Sequence, residues 1–411
     1  MKTSLERIRN DIEQLAKFTS TPGNGLTRMS FSLEDKGARE YIKKQMKSAG
    51  LYVYEDAIGN VVGRLEGEVD GPVVMVGSHF DSVKNGGNFD GQAGVVTALE
   101  IARVLNENSI KPKYPIEFIG IIEEEGGRFG SGLFASRAMI GQVSRNDLDI
   151  YKDENGISIA EAMEDFGFDP SKIHEGIRKP GDIKAFLELH IEQGPILESK
   201  GMDIGIVEYI VGLTEIEYIV KGRPDHAGTT PMDMRTDALD IAVSVISKIS
   251  DFAKEAGSGT VATVGVLNIL PGAANIVPGE VKFMVDIRSK DEKCIEEVKS
   301  KIEESLLESC KINGTEFTST EKLYAPPVKL SDNLINKVIK YSDKIELKRE
   351  LMLSGAGHDA MVMAKITDVG LIFVPSKGGR SHCPEEWTDY EDLQKGIEVA
   401  LETIIDISKN D

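Results

Sequence analysis

Histidine and carboxylate side chains follow an apolar stretch in a pattern typical of a metal site. Residues 73–76 are apolar and predict a short buried strand, and the polar strings GSHFDSV and GGNFDG come after it. His79 would stand at the carboxyl end of this strand, and Asp90 at the start of the next helix, 92–105. Ligands bind at that edge of open α/β sheets, and histidine and carboxylate are ligands of transition metals. The alternative at this point is a polar loop that closes a βα unit.

Three adjacent glutamates follow a second apolar strand, predicted over 116–122, in the string EEEGGRFG. Burying carboxylates at a strand end costs free energy unless a cation is present. We therefore interpret Glu124 and Glu125 as linked to a metal, or as groups of raised pKa, in preference to a solvated face. A third strand, 183–189, leads into HIEQGP and again places a histidine, His190, at a strand end.

These side chains form one constellation in the predicted sheet. The chain has six histidines, and three of them lie at strand ends or in the loops beyond, together with carboxylates. The full set is His79, Asp90, Glu124, Glu125, His190 and His382. Two histidines, shared carboxylates and an open position suit zinc, manganese, cobalt or nickel. A second glutamate beside a ligand can act as general base toward water that a metal activates.

Length and composition restrict the classes of protein to which this chain can belong. With 411 residues the chain exceeds what one core normally holds, so we expect two domains. No apolar run reaches the roughly 18 residues of a membrane span. The amino terminus is charged and lacks a secretory apolar region. The three cysteines are scattered, which argues against a disulfide framework and indicates a cytoplasmic protein.

The net charge restricts the partners. A formal charge of −20 at pH 7 argues against nucleic acid and against anionic membrane surfaces. An anionic substrate would need local cations to overcome this field.

The order of predicted elements indicates an α/β protein with an insertion. The first part has helices and strands at 2–18, 34–49, 51–54 and 60–65. A later stretch, 143–181, is polar and irregular apart from a helix predicted at 158–166. From 212 the order becomes β-α-β-β-α-β, with elements at 213–221, 235–256, 260–269, 280–288, 291–311 and 316–323. This is the order of a ferredoxin-like domain. The α/β pattern then resumes with a helix at 331–345, a strand at 371–374 and a helix at 389–408.

Eight strings, in register along essentially the whole chain, resemble one enzyme family. They are GSHFDSV, GGNFDG, EEEGGRFG, HIEQGP, DHAGTTPMDMR, ANIVPGE, SGAGHDAM and GRSHCPEEW. The resemblance is to the amidohydrolase branch of the dinuclear metallo-aminoacylase and carboxypeptidase clan. That branch contains N-carbamoyl-L-amino-acid hydrolase, β-ureidopropionase, allantoate amidohydrolase and ureidoglycolate amidohydrolase. The strings specify the branch far better than they specify the member.

The resemblance implies a fold and a metal centre. The fold would be a mixed-sheet α/β metal-binding domain, 1–211 and 328–411, with an inserted ferredoxin-like lid and dimerisation domain, 212–327. Two divalent ions would be bound per chain, with Asp90 bridging them. The implied ligands are His79, Asp90, Glu125, His190 and His382. Glu124 would be the general base, and Asp81 would orient His79.

The resemblance also implies roles for residues outside the metal centre. His226 would polarise the scissile carbonyl. Asn275 and Arg288 would hold a substrate carboxylate, aided by Gln193, a task that suits the planar donors of arginine. The inserted domain would dimerise, and residues from it would complete a partner's site.

For some of these residues, a purely structural role is also consistent with the sequence. Considered alone, His226 lies in a turn-like loop and fits a structural role. Arg288 ends a strand and could pair with Asp286 or Asp291. We interpret His358 as a residue that supports the ligands or the fold.

The function implied is hydrolysis of a ureido or carbamoyl C–N bond in a small carboxylate substrate. An N-carbamoyl-L-amino acid would give the amino acid, carbon dioxide and ammonia. The alternatives are allantoate amidohydrolase or β-ureidopropionase, and more distantly a peptidase or aminoacylase of the same clan, or a non-catalytic binding relative. An intact Glu124 argues against pure binding, which needs no base.

Overall fold

The computed structural model describes residues 2–409. Helices are distributed along the whole of this range. The helices are α1 (Leu5–Leu15), α2 (Leu33–Ser48), α3 (Gln92–Glu107), α4 (Phe134–Met139), α5 (Arg145–Ile150), α6 (Ile159–Phe166), α7 (Ile196–Lys200), α8 (Ala238–Ala256), α9 (Glu292–Asn313), α10 (Asp332–Lys344), α11 (Asp359–Met363) and α12 (Tyr390–Lys409). Short 3-10 turns lie at 170–176, 232–234 and 377–379.

The strands alternate with these helices. They are β1 (Tyr52–Glu55), β2 (Val61–Leu65), β3 (Val73–His79), β4 (Ile116–Ile121), β5 (Ile183–Ile191), β6 (Ile204–Ile210), β7 (Gly212–Lys221), β8 (Val261–Leu270), β9 (Glu280–Ser289), β10 (Phe317–Ala325), β11 (Val328–Lys329), β12 (Arg349–Ser354) and β13 (Asp368–Val374). The protein therefore has a mixed α/β fold, as predicted.

The chain divides into two compact units. The first comprises residues 2–208, 330–352 and 357–409, and the second comprises residues 209–329 and 353–356. The long segment of the second unit overlaps the predicted inserted domain, 212–327, and residues 353–356 join it from beyond that range.

The first unit is built on a mixed sheet in which β1, β2, β4, β3, β5, β13 and β6 are neighbours in that order. The central strands β4, β3, β5 and β13 are parallel, whereas β1, β2 and β6 pair antiparallel. Every residue of β3 and β4 is buried, which explains their nearly continuous apolar sequences. Because parallel strands share one carboxyl edge, the residues that follow β3, β4, β5 and β13 meet there.

The second unit is an antiparallel sheet with two helices. Its strand order is β10-β7-β9-β8, and its element order is β-α-β-β-α-β. Residues of β9 alternate between buried and half-buried, and its buried side chains pack with apolar residues of α8 and α9. The other face of β9 carries Asp286 and Arg288.

Some elements were absent from the sequence prediction. Within the stretch predicted to be irregular lies α5, whose Ser144 and Asp147 form a capping box. That signal was available and was missed. The strands β6 and β12 were also missed. They pair with each other, and β6 pairs with β13, so their partners lie far away in the sequence.

Among residues 2–409, we find no helix that combines the length and the apolar character needed to cross a membrane.

Candidate metal centre and active site

The first unit brings the predicted metal ligands to the carboxyl edge of its parallel strands. His79 is the last residue of β3, and His190 lies next to the last in β5. The remaining members come from loops: Asp90 before α3, Glu124 and Glu125 after β4, and His382 after β13. Side chains separated by up to 303 positions in sequence thus converge because parallel strands end at one edge.

Asp90 lies at the centre of the cluster. Its Oδ1 atom is 3.0 Å from Nε2 of His190 and 3.5 Å from Nε2 of His79. Its Oδ2 atom is 3.1 Å from Nε2 of His382. The two carboxylate oxygens of Asp90 therefore face different histidines.

Glu124 and Glu125 complete two further groups of candidate ligand atoms. Oε1 of Glu125 is 3.4 Å from Nε2 of His382, and Oε2 of Glu124 is 3.8 Å from Nε2 of His79. Three groups of side chains each have ligand atoms within 4.8 Å of one another: His79, Asp90 and His190; His79, Glu124 and Glu125; and Asp90, Glu125 and His382. Oε1 of Glu125 is buried and has no hydrogen-bond partner within residues 2–409.

The orientation of the buried histidines calls for a cation. Nδ1 of His79 lies 3.2 Å from the carbonyl oxygen of Asp81, and Nδ1 of His190 lies 2.9 Å from that of Ile191. A carbonyl oxygen only accepts, so each Nδ1 is assigned a proton. In the neutral ring, Nε2 would then direct a lone pair at the Asp90 carboxylate, which is repulsive. A positive charge between them, from a proton or a divalent metal, removes that repulsion, and imidazole nitrogen with carboxylate oxygen suits a transition metal.

The pKa shifts of the clustered carboxylates indicate that negative charge is buried in excess at this site. Burial, reinforced by the Glu125 carboxylate, raises the pKa of Glu124 well above its ordinary value despite the opposing effect of His79. Burial and the Asp90 carboxylate raise the pKa of Glu125 to about 7. Burial also opposes ionisation of Asp90, but hydrogen bonds from histidines, His190 first, hold its pKa well below the usual range.

Asp81 links the strand of His79 to the glutamate loop. Its Oδ1 and Oδ2 atoms accept the backbone N–H groups of Glu124 and Glu125 at 3.1 and 3.2 Å. Its Oδ1 also lies 3.6 Å from Nδ1 of His79. Gly91 permits the close approach of this ring, because a Cβ there would lie 2.4 Å from the His79 imidazole. Asp81 thus contacts both a candidate ligand, His79, and the backbone of the predicted base, Glu124.

Gln193, predicted to bind substrate, lies beside the Asp90 carboxylate. Its Nε2 donates to Oδ2 of Asp90 at 2.9 Å and to Oγ of Ser381 at 3.2 Å. Its backbone has a φ of 57°, and its N–H donates to Oγ of Ser376. In this arrangement Gln193 holds the central carboxylate.

His226 and Asn275 are adjacent in the second unit. The backbone N–H of Ala227 donates to the carbonyl oxygen of Asn275 at 2.9 Å, and His226 forms an isolated β-bridge with Ile276. The backbone N–H of Gly228 donates to Nδ1 of His226 at 3.0 Å. Because Nδ1 accepts, the neutral ring carries its proton on Nε2. The exposed His226 therefore presents a hydrogen-bond donor.

Arg288 has different neighbours in the same unit. It pairs with Asp286, which is one of the two partners considered from the sequence, and it donates to the carbonyl oxygen of Gly355. The structure thus brings His226 and Asn275 together and places Arg288 with Asp286 and Gly355.

Three buried carboxylates near the centre escaped the sequence interpretation. Glu188 accepts Oγ–H of Ser78 at 2.6 Å and the N–H of Ala360 at 3.0 Å. A glutamate within an apolar strand was the available signal for it. Asp359 and Glu386 are also buried, and no local pattern separates them from solvated charges.

His358 packs against the metal-ligand candidates. Its ring centroid lies 4.5 Å from that of His190, and the side chain is buried. Burial lowers its pKa well below the ordinary value, so the ring is neutral. A neutral ring tilted against that of His190 fits the supporting role expected from the sequence.

Comparison with known proteins places the chain in a family. The sequence profile of the peptidase family M20/M25/M40 matches residues 73–406. The N-carbamoyl-L-amino-acid amidohydrolase of Paenarthrobacter aurescens is 46% identical over 401 residues, which cover 97% of either protein. A protein of the same name from Pseudomonas sp. (strain NS671) is 41% identical, covering 98% of this chain and 99% of that relative. The allantoate amidohydrolase of Bacillus subtilis (strain 168) is 34% identical, covering 95% of this chain and 94% of that relative.

Solved structures agree with these relatives. The crystal structure of a hydantoinase/carbamoylase family amidase from Burkholderia multivorans matches with a TM-score of 0.93 and 32% identity, covering 100% of this chain and 99% of that chain. The resemblance read from the eight sequence strings is therefore confirmed. The chain belongs to the peptidase family M20/M25/M40, in the branch that includes N-carbamoyl-L-amino-acid and allantoate amidohydrolases.

Proposed function

We propose that this protein is a metal-dependent amidohydrolase that converts N-carbamoyl-L-amino acids to the amino acid, carbon dioxide and ammonia. The observation that carries this proposal is 46% identity, over 97% of the chain, to a protein named for that reaction. The cluster around Asp90, with a glutamate beside it, supplies the groups that hydrolysis of a linear amide requires.

The ligand groups divide between two divalent ions. His79, Asp90 and His190 would hold the first ion, and Asp90, Glu125 and His382 would hold the second. Zinc, manganese, cobalt and nickel all suit these nitrogen and oxygen donors. When bound, such ions lower the pKa of water and polarise a carbonyl oxygen.

Glu124 would carry the proton. It takes a proton from the attacking water at its carboxylate, while the water oxygen forms a bond to the carbamoyl carbon. It then delivers that proton to the leaving nitrogen as the first C–N bond breaks. The carbamic acid that remains then breaks its own C–N bond, passing its O–H proton to the nitrogen that leaves and giving carbon dioxide. Burial raises the pKa of Glu124 well above its ordinary value, so this carboxylate binds a proton more tightly than an exposed glutamate does.

Residues of the second unit would bind the substrate. His226 presents its Nε2–H and would donate it to the oxyanion as that charge develops. Arg288 and Asn275 would hold the substrate carboxylate, with Gln193 as a further contact. Arg288 is suited to this task because its guanidinium can form parallel hydrogen bonds with a carboxylate.

The second unit would also serve as a ferredoxin-like lid and dimerisation domain in a homodimer. Its β-α-β-β-α-β order supports the first part of this proposal. The edge strand β8 supports the second, because it exposes apolar side chains: Val261, Val266, Leu267 and Leu270. Light scattering should give twice the chain mass. A monomer at micromolar concentration would contradict the dimer.

Allantoate amidohydrolase is the second candidate, because the Bacillus subtilis relative of that name is 34% identical over 95% of this chain. One experiment separates the candidates and tests the metal requirement. Chelator-treated protein, with and without added Zn²⁺, Mn²⁺, Co²⁺ or Ni²⁺, is incubated with N-carbamoyl-L-amino acids, N-carbamoyl-β-alanine, allantoate and ureidoglycolate. We expect ammonia release from N-carbamoyl-L-amino acids in the reconstituted protein only. Preference for allantoate would replace the substrate assignment, and full turnover in metal-free protein would reject the mechanism.

A further inference from the structure

Glu386 holds two loops of the candidate metal centre together. Its Oε1 accepts the backbone N–H groups of Phe89 and Asp90, each at 3.0 Å. Its Oε2 accepts Oγ–H of Ser381 at 2.7 Å. The residue is only 3% exposed, so its hydrogen bonds are protected from water. One carboxylate thus binds the residue that carries the central ligand group and the residue immediately before His382.

Lack of space next to the Glu386 carboxylate explains why residue 87 is glycine. A Cβ on Gly87 would lie 2.2 Å from both Cδ and Oε1 of Glu386. Gly87 does not have a positive φ, so backbone conformation is not what requires glycine at this position. The loop before Asp90 is therefore shaped around the Glu386 carboxylate.

Aromatic side chains join the same two segments. The ring of Phe89 lies 5.2 Å from that of Trp387 and 5.7 Å from that of Tyr390, and the latter two rings are 5.5 Å apart. Such contacts between aromatic rings add to the stabilisation that burial of their surface provides. Segments 87–90 and 381–390 thus form one packed junction, with the Glu386 carboxylate at its polar centre.

The two candidate ion sites depend on this junction to different degrees. The first site takes His79 and His190 from β3 and β5, which are neighbours in the central sheet. The second site takes Asp90 and His382 from the two segments that Glu386 connects. Displacement of these segments would move two ligands of the second site but only Asp90 of the first.

We propose that Glu386 is a positioning residue that sets Asp90 and His382 at the spacing needed by the second ion. This inference rests on the proposed dinuclear centre. It assigns no contact with substrate to Glu386. The expected consequence is selective: loss of the carboxylate weakens the second ion more than the first.

The test is a titration of metal-free protein with Zn²⁺, and separately with Mn²⁺. Calorimetry measures the affinity for each ion, and metal analysis after dialysis counts the ions that stay bound. In Glu386→Ala we expect the affinity for the second ion to fall by about 10- to 100-fold, the usual effect of losing a partner of a ligand. The first ion should change several-fold less. Glu386→Gln keeps an oxygen acceptor for the two N–H groups and should recover most of the loss. Gly87→Ala, which displaces the carboxylate, should reproduce it.

The matched control is Glu385→Ala. Glu385 is adjacent and exposed, and it pairs with Arg380, so its loss should leave both affinities unchanged. Reference titrations of His382→Ala and His190→Ala identify which ion is lost. One outcome would overturn the positioning role alone: the wild type binds two ions, and in both Glu386→Ala and Gly87→Ala the affinities of the two sites are unchanged or are weakened equally. A wild type that binds fewer than two ions would overturn the dinuclear centre as well.

Discussion

Arg288 and Asp286 form a bidentate ion pair on β9, in which Nε donates to Oδ1 and Nη2 donates to Oδ2, both at 2.8 Å. A third donor, Nη1, bonds to the carbonyl oxygen of Gly355 at 2.8 Å. A guanidinium carries five N–H donors, so two remain. The structural pairing considered from the sequence is therefore present, and it leaves capacity for a ligand carboxylate.

Arg288→Ala should mainly weaken binding of acidic substrates. Charge-assisted hydrogen bonds contribute about 1.5–3 kcal/mol, so we expect KM to rise by about 10- to 100-fold with a smaller change in kcat. Steady-state kinetics measures both quantities. Asp286→Asn is the matched variant, because it weakens the ion pair and leaves the arginine. Equal effects of the two substitutions, or no effect of Arg288→Ala, would reject the carboxylate-anchor role.

His226→Ala should mainly lower turnover. An Nε2–H that donates to the oxyanion stabilises the transition state more than the ground state, and such donors contribute about 10²- to 10³-fold to kcat. The control is His174→Ala, which removes an exposed histidine of the 3-10 turn at 170–176. A change confined to KM in His226→Ala would assign this residue to binding alone.

Glu124→Gln should separate catalysis from metal binding. The amide keeps the shape of the side chain but cannot accept and return the proton, so we expect kcat to fall by about 10²- to 10⁴-fold. Metal content after dialysis should stay at the wild-type value. Exposed Glu68, changed to Gln, provides the control. Full activity in the Glu124 variant would show that another group carries the proton.

Asp359→Asn should alter the pH dependence of stability in metal-free protein. The carboxylate of Asp359 is fully buried. Burial and the nearby Glu188 raise its pKa from 3.8 to about 8; Asp81 adds to the rise, and His79 opposes it. The folded state thus retains a proton that the unfolded state has released between about pH 4 and 8. Stability must fall with rising pH across this window, by at most about 1.4 kcal/mol per pH unit.

The neutral asparagine lacks this dependence. The unfolding temperature of Asp359→Asn relative to wild type should therefore rise progressively from pH 5 to pH 8 and then level off. Thermal unfolding after chelation measures the difference, and exposed Asp70, changed to Asn, provides the control. A difference that does not vary with pH would mean that Asp359 ionises normally in the folded state.

The sequence alone indicated the α/β class, the β-α-β-β-α-β order and the positions of the candidate ligands at strand ends. These features depend on local patterns. An apolar run such as 73–76 specifies a buried strand, and the polar residues that follow must lie at its end. His79 and Asp90 could therefore be placed without knowledge of their spatial neighbours.

Only the tertiary structure decided what the buried charged side chains contact, and for Glu386 and Asp359 that they are buried at all. Glu386 looks like any glutamate of an acidic chain, but it lies under a loop 297 residues away in sequence, where it accepts the N–H of Phe89. The strands β6 and β12 were missed because their partners also lie in remote segments of the chain. Burial and hydrogen bonding of this kind depend on contacts between remote segments, and a local pattern of residues carries no information about them.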